Sequence, residues 1–176
     1  MEQLSMKRFY STLLAVVMGL MLAGCDKPVQ ATASEGPVGF HRSDECHVCG
    51  MVISDFPGPK GEVVEQGGVK KFCSTAEMIG WWMQPENHHQ NAKLYVHDMG
   101  KSHWDTPDDA HLIDAKIAFY VLGTGLKGAM GVVLASFADE AAAQKVAADT
   151  GGRVLRFGDI DLALLQQPVG MSHMGH

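Results

Sequence analysis

The order of apolar runs, turn signals and helix caps constrains this chain most, because it reads as one pattern written twice. Glu62 to Gln66 and Val69 to Phe72 are short strand candidates flanking Gly67-Gly68, a two-residue hairpin signal. Ser74 then stands as a helix N-cap, and Glu77 three residues on completes a capping box. Met78, Ile79, Trp82 and Met83 follow at helical spacing on one face, and the helix stops by Gln84 because Pro85 disfavours a helical residue before it. Lys93 to His97 is the strand that follows. The order then returns: a strand from Ile117 to Leu122, a glycine-rich connection from Gly123 to Gly131, and a strand from Val132 to Phe137. An alanine-rich helix from Asp139 to Thr150 is closed by Gly151-Gly152, and Arg153 to Phe157 is the last strand. A short helix within Asp159 to Gln166 is expected after it. Strand, strand, helix, strand in each half predicts an α+β fold of two similar ββαβ units, each a small antiparallel sheet with one helix on a face. Identity between the halves is slight, so the repeat is one of pattern.

The N-terminus sets the frame for these units. Lys7 and Arg8 precede an apolar stretch from Phe9 to Met21, broken only by Ser11 and Thr12, and Leu22-Ala23-Gly24-Cys25 reads as a lipoprotein cleavage site. The stretch falls short of the roughly 20 residues that a membrane span needs. Residues 1–24 are therefore expected to be a signal peptide, and Cys25 the lipid-bearing first residue of the mature protein. The remaining 152 of the 176 residues suffice for one compact domain or two small ones. Residues 25–40, rich in Pro, Ala, Ser and Gly, bury too little apolar surface to fold and read as a flexible tether. Residues 41–112 and 113–166 are expected to be the two ββαβ units, and residues 167–176 a Met/His-rich tail. The formal charge of −6 falls to near −7 once Glu2, Lys7 and Arg8 are removed, which argues against nucleic acid as a partner.

Cys46-His-Val-Cys49-Gly-Met51 carries the chemistry, with two thiols, an imidazole and a thioether inside six residues. Soft sulfur at that density selects soft metals, copper(I) before others, and Cys46, Cys49 and Met51 nearly supply such a site alone. Cysteine counting points the same way. With Cys25 acylated, Cys46, Cys49 and Cys73 remain, an odd number in a compartment that favours disulfides. Structural zinc needs four ligands, and only Cys73 and scattered histidines stand ready to complete such a set. A thioredoxin-like site wants the cysteine pair at a helix N-terminus, whereas Gly50-Met-Val-Ile reads as extended.

The lipoprotein signal, the Cys46–Met51 motif, Lys71-Phe-Cys-Ser-Thr-Ala76, Tyr95-Val-His-Asp-Met99 and Gly125-Leu-Lys-Gly-Ala-Met130-Gly together resemble the NosL family, over a stretch that runs to about Asp161. The resemblance implies a copper-binding lipoprotein of nitrous-oxide reductase maturation, a periplasmic, membrane-anchored copper(I) chaperone built of two ββαβ units. The implied partners are the ABC-type NosDFY membrane complex and, through it, apo nitrous-oxide reductase. A copper ligand role for Met130 also comes from the resemblance; by itself a methionine in a glycine-rich loop is a gap filler. The family's fold relationship to organomercurial lyase keeps an enzymatic alternative open, beside a thiol-disulfide oxidoreductase and a structural zinc module.

The remaining candidates divide. Met78 and Met83 share the apolar helix face with Trp82 and read as core. Cys73, at a strand end, is as well explained by a buried inert thiol as by a ligand. His47 is a secondary candidate that points away if the cysteine loop is tight. Asp105, Asp108, Asp109 and His111 read as a solvated loop. Met171, His173, Met174 and His176 in the tail are either a capture segment for metal or an uncommitted terminus.

Overall fold

The expected hairpin forms one residue earlier than its glycines suggested. In the computed structural model, which describes residues 36–88 and 91–167, β1 (Gly61–Glu65) and β2 (Gly68–Phe72) pair antiparallel with Glu65 opposite Gly68, so Gln66 and Gly67 make the turn. Gly67 takes φ +130°, open to glycine and closed to most side chains. β3 (Lys93–His97) joins the other edge of β1, and β4 (Leu112–Asp114) joins β3, giving an antiparallel sheet of order β2-β1-β3-β4. β4 is an addition to the expected unit; three residues are too few to show an alternation. The second sheet has the order β6-β5-β7, from Leu134–Phe137, Phe119–Leu122 and Arg153–Arg156, again antiparallel.

The helices form where they were expected, and each starts on a capping side chain. α1 (Thr75–Trp82) starts at Ser74, whose hydroxyl accepts from the Glu77 N–H. α2 (Glu140–Thr150) starts at Asp139, which caps Ala142, and ends on Gly151 at φ +72°. The short α3 (Leu162–Leu165) is capped by Asp161. Among the described residues no helix is long and apolar enough to cross a membrane.

α1 does more than cover one sheet. It packs on β1 and β2 and also touches β6. Met78, Ile79 and Trp82 enter a core shared with Val63, Leu94 and Val96 of the first sheet and Tyr120, Leu122, Leu134 and Leu155 of the second. Each such buried side chain contributes about 1.5–3 kcal/mol. The alternate residues of the second sheet, Val121, Ala135 and Phe137, meet Ala143 and Ala147 of α2 on the other face. The second sheet is thus buried on both sides. Gly61 lets α1 lie close to β1, since a Cβ there would stand 2.6 Å from the Met78 sulfur.

The outer face of the first sheet is closed by the segment ahead of the cysteine motif. Buried Glu62 accepts from the N–H groups of Val38 and Gly39 at 2.7 and 3.2 Å, and Asp109 accepts from Phe40 N–H at 2.7 Å. Asp109 also faces His97 Nε2 at 2.9 Å, so this acid is a clamp and not part of a solvated loop. Phe40 packs its ring on His97, with centroids 5.3 Å apart. Because His97 Nδ1 accepts the Lys60 N–H at 3.1 Å, the proton of the neutral ring sits on Nε2.

Burial pulls the His97 pKa below its ordinary 6.5; Asp109 opposes it, and the Lys60 charge adds to the pull. With the folded pKa depressed, the unfolded state binds more protons, so this stabilisation is intact above pH 6.5 and is lost as pH falls below it. Glu62, raised by burial, tilts the profile the other way. Denaturant unfolding of wild type and His97→Gln from about pH 7.5 to 5.5 is expected to show their stability difference shrinking with acid. A constant difference would mean that His97 is protonated equally in both states.

Candidate metal centre

The cysteine motif folds as a tight turn because its last residues allow it. Gly50, at φ +70°, donates its N–H to the Cys46 carbonyl at 2.8 Å, and Cys46 N–H donates to the Met51 carbonyl at 2.8 Å. A Glu45–Val52 bridge closes the turn, and His47 N–H binds the Lys71 carbonyl at 2.8 Å, docking it beside β2. β2 ends at Phe72, which puts Cys73 between the strand and the α1 cap. Two segments far apart in sequence therefore present their thiols to one point.

Three thiols and one carboxylate meet there. The ligand atoms of Cys46, Cys49, Cys73 and Glu77 all lie within 4.8 Å of one another. Cys46 Sγ and Cys73 Sγ both donate to Glu77 Oε2, at 2.9 and 2.8 Å, and Cys49 Sγ stands 3.8 Å from Cys73 Sγ. Cys46 and Cys73 are 3% and 1% exposed, while Cys49 is only partly buried and forms the open side. Burial pushes both enclosed thiols above their ordinary pKa, and the Glu77 carboxylate pushes the same way. Both are S–H donors at neutral pH, and a metal must displace those protons to bind.

The donor set fits a soft ion. Two sulfurs bound about 2.3 Å from one ion stand roughly 3.8–4.0 Å apart in tetrahedral or trigonal geometry, and the Cys49–Cys73 separation is 3.8 Å. Cys73 is accordingly a central member of the cluster, where sequence left an inert thiol equally open. Glu77 was missed as a donor. It satisfies a capping-box pattern, and only its spacing of four from Cys73 hinted at a second use.

Met51 is partly buried directly after the turn. Met130 is 62% exposed on the loop between β5 and β6. That loop borders the start of α1: Gly128 and Ala129 line a small cleft with Ser74 and Thr75, and Thr75 Oγ1 donates to the carbonyl of Leu134, where β6 begins, at 2.6 Å. The Trp104 indole holds the Lys127 carbonyl at 2.7 Å. His47 turns its ring edge-on to Phe72 and Trp81, with centroids 5.9 and 5.5 Å away. Cys25, Met171, His173, Met174 and His176 lie outside the described residues.

The fold and this cluster define a small α+β protein with a sulfur-rich site for a soft metal. Residues 37–165 match the NosL family. The chain is 63% identical over 164 residues to the copper-binding lipoprotein NosL of Stutzerimonas stutzeri, covering 93% of this chain and 86% of that one. It is 37% identical over 130 residues to the copper-binding lipoprotein NosL of Achromobacter cycloclastes, covering 70% and 66%. The crystal structure of the copper chaperone NosL from Shewanella denitrificans superimposes with TM-score 0.69 at 39% identity, over 74% of this chain and 98% of that one. The chain belongs to the NosL family.

The unequal exposure of the thiols has a direct readout. Site-resolved alkylation of the native, metal-free protein is expected to label Cys49 at least roughly tenfold faster than Cys46 or Cys73, because only thiolate that is both formed and accessible reacts. Denaturant is expected to level the three rates. Equal labelling under native conditions would contradict the enclosed cluster.

Proposed function

We propose that this protein is a lipid-anchored carrier of copper(I), not an enzyme, tethered through Cys25 on the periplasmic side of a membrane. Its cargo goes to the ABC-type NosDFY complex and, through that complex, to the copper centres of apo nitrous-oxide reductase. The observation that carries this reading is the cluster of Cys46, Cys49, Cys73 and Glu77 with its donor atoms inside 4.8 Å. Thiolates favour copper(I) over harder ions, and carriage requires only exchange of ligands. The names of the relatives support the same metal: two are copper-binding lipoproteins and the solved one is a copper chaperone. Membership of the family supports the choice of partners and of a lipid anchor, which confines the search to a membrane surface.

Met51 and Met130 are the thioether candidates in this scheme. Met130, exposed on the loop that borders the start of α1, suits a residue that meets the ion during arrival or departure. One observation favours a second reading: with Glu77 the site offers the four donors of a closed zinc site. The two readings separate on removal of metal. A structural zinc site unfolds with its ion, whereas a carrier keeps its fold.

Competition with a copper(I) chelator on the reduced protein, with zinc in parallel, tests the proposal. We expect tight one-to-one copper binding and retention of the fold after metal removal. Glu77→Gln is expected to weaken affinity by about 10–100-fold, the range for a supporting group, and Cys49→Ser by more. Weak copper binding alongside tight zinc binding and unfolding on chelation would make this a structural zinc protein.

A further inference from the structure

The three thiols of the cluster are not equivalent partners for one another. Cys46 and Cys73 both donate to Glu77 Oε2, at 2.9 and 2.8 Å, and the Gly50 N–H to Cys46 carbonyl bond at 2.8 Å fixes the turn behind Cys46. Cys49, on the open side, has its Sγ 3.8 Å from Cys73 Sγ, across a separation of 24 residues. A disulfide holds its sulfurs about 2.05 Å apart, so the gap to close is under roughly 2 Å. Cys49 is also the thiol that an outside reagent reaches first, since Cys46 and Cys73 are 3% and 1% exposed.

We propose that Cys49 and Cys73, not the two cysteines of the motif, form the redox couple of this protein, and that their disulfide closes the metal site. The pairing rests on the geometry, while its effect on loading rests on the copper(I) reading above. The oxidant is a small disulfide, R–S–S–R. The Cys49 sulfur, as thiolate, attacks one of its sulfurs; the S–S bond breaks, and one R–S⁻ leaves and takes up a proton. The Cys73 sulfur then attacks the Cys49 sulfur of the mixed disulfide, and the second R–S⁻ leaves and is protonated. Two protein thiols become one disulfide, one R–S–S–R becomes two R–SH, and the two protons end on the leaving groups.

The product cannot hold a soft ion as the reduced cluster does. Two of the three sulfur donors are consumed, leaving Cys46 and Glu77. The new bond also ties the motif turn to the junction of β2 and α1, the two segments whose approach builds the site. Loading of the oxidised protein therefore requires a thiol reductant first.

The test uses the full chain and its Cys46→Ser variant, reduced, then treated with oxidised glutathione, digested without reduction and mapped by mass spectrometry. The expected linkage is Cys49–Cys73 in both proteins. Copper(I) affinity of oxidised wild type is expected to fall by more than about 100-fold, beyond the range for losing one supporting group, and to return with reductant. A Cys46–Cys49 linkage in wild type, no disulfide in Cys46→Ser, or unchanged copper affinity after oxidation would overturn the proposal. Should the reduced protein fail to bind copper, the copper reading falls and the gate with it, while the linkage map still decides the pairing.

Discussion

One carboxylate oxygen, Glu77 Oε2, joins the two halves of the site. It accepts from Cys73, four residues before it, and from Cys46, 31 residues before it. A buried thiol needs an acceptor and a carboxylate held against a core needs donors, so each side supplies what the other lacks. The effect is reciprocal: the carboxylate raises the thiol pKa values, and the protonated thiols keep their hydrogen bonds to it. S–H is a weak donor, so the contact sets direction more than it adds stability.

What places Glu77 is the seating of α1. Ser74 fixes the first turn, Thr75 ties it to β6, and Met78, Ile79 and Trp82 bury the opposite side between the two sheets. Gly61 sets the depth, because any side chain there would lift the helix off β1 by way of Met78. The turn that carries Cys46 and Cys49 is docked separately, through the backbone of His47 on Lys71. A site assembled from a helix start, a strand end and a turn needs all three registers to be right: the Ser74 cap sets the first, the β1–β2 pairing the second and the His47–Lys71 bond the third.

The elements were legible where periodicity or capping writes them. Lys93–His97 alternates, Ser74 caps, Gly151 closes, and the structure has strands and helices at those places. β4 was not legible, since Leu112–Asp114 is recruited by pairing with β3 and carries no signal of its own. The site was half legible. Cys46 and Cys49 announce themselves by spacing, but Glu77 hides behind a capping pattern that its backbone N–H fulfils while its carboxylate serves the thiols. Asp109 is a similar case: an acid in a polar loop looks solvated until the partners that reach it, His97 and Phe40, are brought from β3 and the N-terminal segment. Only tertiary placement distinguishes those uses.

Charge limits how the four donors can act together. Ionising all three thiols beside an ionised Glu77 would set four negative charges around a singly charged ion, in a pocket where two of the thiols are almost wholly buried. Burying that surplus of charge costs far more than one additional metal–sulfur contact returns. Under the copper(I) reading proposed above, the favourable state would be one in which the ion displaces the proton of partly open Cys49 and of one enclosed thiol, while the other stays S–H bonded to Glu77. Such a state would be two-coordinate in thiolate, with one net negative charge across ion and sulfurs in place of two for three thiolates, and open on the Cys49 side. From such a state an incoming sulfur would add without a donor first leaving, so two thiolates in place of three would leave the cargo exchangeable.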